Sequence, residues 1–513
     1  MSEVNLTSYE NVLYESKPLY PTHPDNLSAV AWLFGMQPAP VEGCRVLELG
    51  CATGGNLLPM AATLPNSQFV GIDLSPRQIA LGQQVVDDLR LENIRLEAKS
   101  ILDVNETFGQ FDYIICHGVY SWVPTEVQEK ILDICRTNLA PQGIAYISYN
   151  TYPGWHARGM VRDMMGYHAK QFDDPTVRVA QARAFLQFVI QSVAEPDGVY
   201  GRALKEEKEL LGPEADYYLF HEHLEEVNQP LYFHQFAERL AGSQLQYLGE
   251  AWFHTNLSSF PPEVQETLQQ ISGDLVQLEQ YLDFLTNRTF RRTLLCHESV
   301  VLDRAVDPKL VFDLELSALV HPVSLQPDVA STEPEVFRAD DGQTISTNSP
   351  LIKAALVELF AAWPGAVPFE ELCRRIGARL GGTLPEQARE ALAGGLLQCY
   401  LSHRVALHGH GPRLVLQPGE HPLASHLARY QSEAGAPIAN LRHRIIDLSP
   451  ADQYVLRLLN GQLDRPAIAT ALAKAVRFEG LQLTPESASG AASPENWLVE
   501  SLGRLGRSGL LLS

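Results

Sequence analysis

Short apolar strands alternate with amphipathic helices between Arg45 and Tyr149, and no other feature of the sequence constrains the fold as much. The strand candidates are rich in β-branched residues and read RVLELG, QFVGID, IRLEAK, FDYIICHG and IAYISYN. Between them, LLPMAATL, SPRQIALGQQVVDDLRL and VQEKILDICRTNL repeat apolar residues every three or four positions, which is typical of helices. This alternation predicts an α/β domain at residues 41–155, built on a parallel sheet with helices on both faces.

The composition is that of a folded protein with several domains. A chain of 513 residues is too long for one hydrophobic core, and its 45% hydrophobic and 19% charged residues exclude extensive disorder. The formal net charge of -22 repels phosphate groups, which argues against nucleic acid and anionic membranes and favours a lysine-bearing partner. The acidity is uneven, because residues 350–513 hold 16 Lys and Arg against 14 Asp and Glu.

Neither a secretory signal nor a membrane insertion is expected. The segment Met1–Glu10 is polar and acidic, and no uninterrupted run of about 18 apolar residues occurs. The seven cysteines form no CxxC pair, which predicts reduced thiols rather than disulfides or zinc ligands. We therefore expect a cytoplasmic protein without a bound metal.

Breaker-rich and helical segments predict how the remainder of the chain is divided. Residues 1–40 precede the α/β domain as an arm or lid, and residues 156–321 are rich in amphipathic helical stretches, which predicts a helical middle domain. Residues 322–350 are polar and rich in Pro, Ser, Thr and Asp, which predicts a linker.

The C-terminal residues 351–513 carry two similar patterns. Three helical segments are followed by RVALHGHGPRLVLQP, a hairpin candidate, and LSPADQYVLRLLNG, RPAIATALAKA and WLVESLGRLGRSGLLL repeat the pattern more loosely. Three helices and a hairpin resemble a winged helix. Winged helices often bind DNA, but the third helix here, residues 386–401, carries two Glu and one Arg, which favours an interaction or scaffold role.

The motif VLELGCATGG, Val46–Gly55, ends the first strand and opens a helix at Asn56. Its glycines let the backbone approach a ligand, and the following helix N-terminus favours carboxylate or phosphate groups. NAD and flavin domains have similar turns, but GxGxxG is absent, and an acid within the first strand is typical of methyltransferases and suits the methionine end of S-adenosylmethionine. An ordinary strand-to-helix turn is the alternative. The binding candidates of this segment are Glu48, Gly50, Cys51, Ala52, Gly54 and Asn56.

The next two strands end on further cofactor candidates. Asp73 ends the second strand, where a carboxylate is able to accept both ribose hydroxyls, and capping of the next helix is the alternative role. Leu74 follows directly. The third strand leads into Ser100 and Ile101, where the adenine of such a cofactor usually packs.

Aromatic residues are dense after the fourth and fifth strands and in the N-terminal arm. Methyl transfer needs an aligned nucleophile and exclusion of water, and desolvation among aromatic rings lowers the pKa of a lysine amine. Packing is the alternative for any single ring. The acceptor-site candidates are His117, Tyr120, Trp122, Tyr149, Tyr152 and Trp155. Further cofactor candidates are Tyr14, His23, His117 and Gly118, and the arm also carries Tyr9 and Tyr20.

Two histidine features leave several roles open. His117 is suited to orient the acceptor, to take up a proton or to hydrogen-bond a loop carbonyl. His221 and His223, with Glu222, Glu225, Glu226 and His234 nearby, suggest a metal site, yet the two histidines do not share a helix face and HExxH is absent. A contribution to the substrate pocket, packing and hydrogen bonding are the alternatives to a metal site.

Several segments together give a specific resemblance. They are YESKPLYPTHPDNLSA, VLELGCATGGNLLPMAA, FVGIDLSPRQI, FDYIICHGVYSWVP and YISYNTYPGWHARGMVRDMM. They resemble the rickettsial-type outer-membrane-protein lysine methyltransferases. Further on, YYLFHEHLEEVNQPLYFHQFAERLAGSQLQYLGEA resembles the methyltransferase regulatory domain, and YLDFLTNRTFRRTLLCH also resembles this family. The resemblance is strong over roughly residues 9–300 and loose beyond them.

The resemblance implies a Rossmann-like class I methyltransferase domain, a helical middle domain associated with dimerisation and a winged-helix-like C-terminal domain. It implies S-adenosylmethionine as cofactor, a lysine side chain of a protein as acceptor and a possible homodimer. The sequence departs from many relatives at Ala52-Thr53 and at Ser100, where they carry acidic residues. One alternative is a methyltransferase for a small molecule or peptide natural product, and another is a non-catalytic S-adenosylmethionine-sensing interaction protein.

Overall fold

A computed structural model describes residues 14–212, 216–252, 257–483 and 493–512, and within these ranges a seven-stranded mixed sheet forms the centre of the protein. Its strands are β1 (Arg45–Leu49), β2 (Gln68–Asp73), β3 (Ile94–Ala98), β4 (Phe111–Cys116), β5 (Leu139–Asn150), β6 (Leu245–Glu250) and β7 (Phe290–His297). The strand order is β3-β2-β1-β4-β5-β7-β6, with β1 to β5 parallel and β7 antiparallel to both of its neighbours. The predicted parallel α/β sheet is confirmed, and each predicted strand is a strand.

Four α-helices belong to this domain among the described residues, and two of the four have a capping side chain at the first turn. They are α1 (Pro24–Leu33), α2 (Leu57–Thr63), α3 (Pro76–Leu89) and α4 (Thr125–Asn138). Ser75 caps α3, since its hydroxyl accepts a hydrogen bond from the Gln78 amide and a proline takes the first helical position. His23 caps α1 in the same way, because its Nδ1 accepts from the Asp25 amide.

The sheet extends beyond residue 155, because β6 and β7 come from the range for which a helical middle domain is predicted. The helices of that range are α5 (Trp155–Ala169), α6 (Pro175–Ser192), α7 (Val199–Leu211), α8 (Asp216–Leu219), α9 (Phe233–Gly242), α10 (Pro262–Ile271) and α11 (Leu275–Thr286). Helices α5 to α7 enclose an apolar cluster of their own that includes Val161, Leu186 and Leu204. Helix α9 packs on β6 and α11, so this range both adds helices and completes the sheet.

A buried ionic cluster joins β6, β7 and α11. Arg291 on β7 is fully buried and donates hydrogen bonds to Glu250 Oε1 at 2.7 Å, to Asp283 at 2.8 and 2.9 Å and to Glu279 Oε2 at 3.0 Å. Its guanidinium lies 3.9 Å from the centre of the Phe233 ring. Burial raises the pKa of Asp283 to about 6, against the opposing effect of the nearby Arg291 charge. The cluster therefore compensates charges that would otherwise be costly inside the protein.

We call residues 315–408 the first C-terminal module. Its elements are β8 (Glu315–Ser317), β9 (Val320–Pro322), β10 (Glu335–Ala339), β11 (Thr344–Thr347), α12 (Pro350–Ala362), β12 (Val367–Pro368), α13 (Phe369–Leu380), α14 (Glu386–Leu401) and β13 (Ala406–His408). Strand β8 pairs with β12 and β13 beside the three helices. The segment predicted as a linker, residues 322–350, carries the antiparallel pair β10–β11. The predicted hairpin after α14 is wrong, because β13 pairs with β8 and the chain then turns toward α1, where the His410 amide donates to Asp25.

Residues 420–512 form the second C-terminal module. Its elements are α15 (His426–Ala434), β14 (Ile438–Ala439), β15 (Ile445–Ile446), α16 (Pro450–Leu458), α17 (Arg465–Phe478) and α18 (Pro494–Arg507). The core of this module includes Val455, Leu472 and Trp497, all nearly inaccessible to solvent. The predicted helical segments of this part are therefore helices α16 to α18. Among the helices of the described residues, none is long and apolar enough to cross a membrane.

Candidate functional site

The carboxyl ends of β1 and β4 mark the point where the strand order reverses, because β1 lies between β2 and β4. In open α/β sheets the crevice at such a switch point holds the ligand. Here Gly50 after β1 faces Val119 after β4, and Asp73 at the end of β2 bonds the Ala52 amide. The Lys99 amide after β3 donates to the carbonyl of Asp73, so the four predicted segments lie side by side at this edge.

The loop after β1 is a cradle that depends on residues without bulky side chains. Gly50 and Gly54 have φ angles of +77° and +76°, and Ala52 between them has a φ of +49°. A Cβ atom on Gly50 would lie 2.5 Å from Cγ2 of Val119, inside van der Waals contact. The backbone amides of Gly50 and Cys51 donate to the carbonyl of Ile72, which holds the loop against β2. Glycine adopts positive φ angles readily, so the glycines expected to shape this loop have the conformation that the turn needs.

Glu48 is a buried acid with one unused oxygen. It is 4% exposed, and its Oε1 accepts a hydrogen bond from Asn56 Nδ2 at 2.8 Å. Its Oε2 is buried and has no hydrogen-bond partner among the described residues. Burial raises the pKa of Glu48 to about 7, with the Asn56 bond opposing the shift. An orphaned carboxylate oxygen in a glycine cradle fits the ammonium group of an amino-acid ligand.

Replacing Glu48 with glutamine should change how stability depends on pH. The native pKa lies above the unfolded value, so the native state binds the proton more tightly, and stability falls as pH rises from about 4.5 through about 7. The free energy of unfolding of Glu48→Gln, relative to that of wild type, should therefore rise by about 2 to 3 kcal/mol between pH 5 and pH 8. Denaturant unfolding at both pH values measures this difference. Glu129→Gln, on the exposed side of α4, is the control, and an equal gain there contradicts the interpretation.

Asp73, at the end of β2, is held in place by hydrogen bonds from the backbone. Oδ1 of Asp73 accepts from the Ser75 amide and Oδ2 from the Ala52 amide, both at 2.9 Å. Burial raises the pKa of Asp73, and these backbone hydrogen bonds oppose the rise. Because Ser75 supplies the cap of α3, Asp73 is not needed for that role, and each of its oxygens keeps a lone pair for a ligand. Leu74 beside it is 43% exposed.

The loop after β3 presents mainly apolar surface. Ser100 caps a short 3-10 helix, Ile101–Asp103, by accepting a hydrogen bond from the Leu102 amide at 3.2 Å. Ile101 is half-buried, and Leu102 is 43% exposed. The Ser100 hydroxyl is thus used within the loop. This part of the site therefore offers apolar contacts to a planar ligand, and Ser100 does not replace the acid that many relatives carry at its position.

The described part of the N-terminal arm packs against the loop after β1, which we call the cofactor loop (residues 50–56). The Leu19 amide donates to Asn56 Oδ1 at 3.0 Å, and a Cβ on Gly55 would collide with the carbonyl oxygen of Ser16. Tyr14 is 39% exposed, and its ring lies 5.8 Å from that of His221. His23 uses Nδ1 to cap α1, and Tyr9 lies outside the described residues.

Three of the predicted acceptor residues belong to the core. Tyr120, Tyr149 and Trp155 are at most 1% exposed. The Tyr149 ring lies 4.3 Å from that of Phe236, and the Tyr120 hydroxyl accepts a hydrogen bond from Arg239 at 3.4 Å. The Tyr120 and Tyr149 rings thus pack on Phe236 of α9, whereas the Trp155 ring lies beside Arg158. The sequence does not distinguish these positions, because aromatic residues at strand ends have the same pattern whether they face a cleft or a helix.

His117 remains at the edge as a neutral, hydrogen-bonded ring. Its Nδ1 shares a hydrogen bond with the Tyr146 hydroxyl at 2.9 Å, and the neighbouring Gly118 amide donates to Ser148 Oγ at 2.8 Å. Desolvation lowers the pKa of His117 to about 3, and the Arg292 charge acts in the same direction. The ring is therefore a poor proton acceptor at neutral pH, which leaves orientation as its suitable role. Among the described residues, the hydrogen-bond partner of the His117 ring is the Tyr146 hydroxyl and not a loop carbonyl.

An aromatic surface lies beside β5. We call it the aromatic face, and it consists of Tyr152, His156, Tyr232 and Phe284. Tyr152 stacks on His156 with ring centres 4.1 Å apart, and His156 Nε2 shares a hydrogen bond with the Tyr232 hydroxyl at 3.0 Å. Phe284 is 49% exposed and lies 6.0 Å from the Tyr232 ring. Only Tyr152 was predicted: Tyr232 and Phe284 come from distant parts of the chain, and His156, four residues from Tyr152, was overlooked. Trp122 is half-buried, with its ring 6.1 Å from that of Trp155.

The two histidines of this segment form separate hydrogen-bonded pairs with glutamates rather than one cluster. His221 Nδ1 lies 3.0 Å from Glu225 Oε1, whereas His223 Nε2 lies 2.9 Å from Glu207 Oε1 on α7. Both histidines lie on a π-helix, Phe220–Leu224. Within the part of the chain that the structure describes, no group of three His, Cys, Asp or Glu side chains has a metal-binding arrangement.

Comparisons with known proteins match the three parts of the chain. Residues 40–207 match the model of a methyltransferase domain, residues 215–297 a predicted methyltransferase regulatory domain, and residues 420–504 the C-terminal winged helix domain of PKMT. PKMT2 from Rickettsia typhi, solved in complex with AdoHcy, is 31% identical with a TM-score of 0.86 and covers 98% of this chain and 100% of that one. An uncharacterised protein of Rickettsia prowazekii is 37% identical over 488 residues, 93% of this chain and 88% of that protein.

Proposed function

The chain belongs to the family of PKMT2 from Rickettsia typhi, and we propose that it transfers methyl groups to lysine side chains of a protein. It is an S-adenosylmethionine-dependent methyltransferase with a Rossmann-like catalytic domain, and the predicted family resemblance is confirmed. The lysine acceptor is what the proposal adds to that statement. It is supported by the aromatic face, which lies beside the carboxyl end of β5.

The residues at the switch point fit the cofactor. We assign the methionine end to Glu48 and the backbone of Gly50 to Gly54, the ribose to Asp73, and the adenine to Leu74, Ser100 and Ile101. When bound, the sulfonium supplies a methyl group that is open to displacement at carbon. Asn56 holds Glu48 rather than touching the ligand, because its amide is fully used within the protein. Gly118 is exposed, with open space at its Cα, and we assign the approach of the acceptor to it and His117.

A lysine acceptor must lose its proton before it attacks, and at pH 7 this costs about 4 to 5 kcal/mol for a free amine. Desolvation against Tyr152, His156 and Tyr232 lowers the pKa of the amine, and the hydroxyl groups orient it once it is neutral. The released proton goes to solvent, since His117 is held neutral by desolvation and no stronger base is required. The net charge of -22 favours a lysine-bearing partner.

The fold also supports a homodimer as part of the proposal. Several apolar side chains on helices α5 to α7 are exposed: Tyr167, Phe188, Val199 and Leu210. Exposed apolar groups on neighbouring helices are typical of surfaces that another molecule covers. Sedimentation of the purified protein would test the dimer.

Transfer of a radiolabelled methyl group from S-adenosylmethionine into host-lysate protein tests the function, and we expect the label on lysine. Asp73→Ala should raise the cofactor Kd by about 5- to 150-fold, because charge-assisted hydrogen bonds to the ribose are lost. Asp87→Ala, which removes an exposed acid of α3, is the matched control and should transfer label as wild type does.

The distribution of label separates the competing functions. Label confined to small molecules indicates a metabolite or peptide methyltransferase. Cofactor binding without any label indicates a sensing protein that acts through its C-terminal modules. An unchanged Kd in Asp73→Ala would remove Asp73 from the site.

A further inference from the structure

Three residues of the turn between β14 and β15, Asn440–Arg444, are buried. Asn440 is 8% exposed, Arg442 6% and His443 4%. The His443 ring lies 5.1 Å from that of His23 in the N-terminal arm. The second C-terminal module therefore contacts the part of the protein that carries the cofactor loop.

Arg442 fastens this turn to the first C-terminal module. Its guanidinium donates to the Pro364 carbonyl at 2.6 Å and to Ser317 Oγ at 2.8 Å, and it lies 4.2 Å from the Trp363 ring. Burial lowers the pKa of Arg442 to about 10. A buried guanidinium with two hydrogen bonds and a stacked ring holds the turn in one position.

Ser317 is linked through His408 to Asp25 of the catalytic domain. Its Oγ lies 2.8 Å from His408 Nε2, and His408 Nδ1 lies 2.6 Å from Asp25 Oδ2 on α1. Ser317, His408 and Asp25 are at most 3% exposed, so a substrate has no access to them. This serine, histidine and aspartate arrangement therefore serves to hold the modules together.

His443 reaches the cofactor loop itself. Its Nε2 lies 2.8 Å from Asn56 Oδ1, and the Leu19 amide lies 3.0 Å from the same oxygen. Because the Leu19 amide is a donor, this atom of Asn56 is an acceptor, and His443 Nε2 must carry the hydrogen. The Asn56 Nδ2 group donates to Thr22 Oγ1 at 3.0 Å and to Glu48 Oε1 at 2.8 Å. Asn56 Oδ1 also lies 3.2 Å from Thr22 Oγ1, so the amide has partners at both its oxygen and its nitrogen.

The backbone of His443 supports a specific role for this contact. Its φ angle is +57°, in the left-handed region that a residue with a Cβ rarely adopts. Such a conformation is strained and persists where the surroundings enforce it. The ring is thereby directed from the turn into the catalytic domain.

We propose that His443 is a positioning residue of the methyltransferase site: its Nε2 hydrogen fixes the Asn56 amide, which holds Glu48 for the cofactor. The C-terminal winged helix thus completes the cofactor site of its own chain. This inference rests on the proposed role of Glu48 in binding the methionine end. It predicts that cofactor affinity depends on a residue 387 positions away from Asn56 in sequence.

Titration of the full-length protein with S-adenosylmethionine tests this role. His443→Leu should raise the Kd about tenfold, because Asn56 Oδ1 loses the shortest of its hydrogen bonds and the amide is held less firmly against Glu48. His443→Gln keeps an N–H donor at similar reach and should stay within about twofold of wild type. In turnover, His443→Leu should raise the KM for the cofactor and leave kcat nearly unchanged.

A double-mutant cycle and a matched control complete the test. In an Asn56→Ala background, His443→Leu should raise the cofactor Kd by less than about twofold further, because both substitutions remove the same contact between His443 and Asn56. His426→Leu, at an exposed histidine of the same module, should leave the Kd unchanged. An unaltered Kd in His443→Leu, or independent effects in the cycle, overturns the inference. Absence of cofactor binding by wild type overturns the proposed function as well.

Discussion

Replacing Gly50 with arginine should abolish methyl transfer and lower cofactor affinity by about 100-fold or more. The φ of +77° at this position disfavours any side chain, and a Cβ would lie 2.5 Å from Val119 Cγ2. Val119 is β-branched and stiff, so the β1 and β4 loops must separate. An arginine would also fill the cradle that faces Glu48. Calorimetric titration with S-adenosylmethionine and label transfer measure the two effects.

The matched control is Gly43→Arg. Gly43 is exposed just before β1, a Cβ there meets no atom within 4 Å, and its φ is not in the left-handed region. This variant should bind cofactor and transfer label as wild type does. If Gly50→Arg folds and keeps wild-type affinity, the loop after β1 is not the cofactor site.

Replacing Arg291 with methionine should be the most destabilising of the changes considered. Three carboxylates, those of Glu250, Glu279 and Asp283, would lose their shared cation within the protein. Removing one partner of a buried ionic group typically costs about 3 to 5 kcal/mol. Denaturant unfolding, with exchange protection of β7 amides as a second measure, should show this loss in the sheet.

The pH dependence and an exposed pair provide the controls for Arg291→Met. The orphaned carboxylates take up protons as pH falls, so the destabilisation should be smaller at pH 5 than at pH 8. Arg95→Met breaks an exposed ion pair with Glu97 on β3. This substitution should lower the free energy of unfolding by less than about 1 kcal/mol. Equal losses in the two variants would contradict a stabilising role for the buried cluster.

Local sequence patterns predicted the parallel part of the sheet and the loop that follows its first strand. Apolar runs of five or six residues between helical segments identify β1 to β4, because a strand buried on both faces needs apolar side chains along its length. The glycines of VLELGCATGG have the positive φ angles that such a turn requires. The cofactor class and the family were likewise readable, because the motif lies within a few residues of one strand end.

The antiparallel edge and the acceptor surface were not predictable in the same way. Strands β6 and β7 are separated from β5 by helices, and nothing local shows that they join the same sheet. Tyr120 and Tyr149 have the sequence pattern of cleft residues but pack against α9. Whether an aromatic side chain is buried depends on which helix covers it, and the covering helix lies more than eighty residues further along the chain.

The sequence by itself determined the α/β domain, the cofactor loop and the class of chemistry, because these depend on periodicity and on glycines close together in the chain. Only the tertiary structure decided that His443 bonds Asn56 and that Tyr232 joins His156, since these pairs are 387 and 76 positions apart. Contacts at such separations arise from how the modules pack, and the free energy of that packing is spread over many residues. No short segment therefore carries their signature.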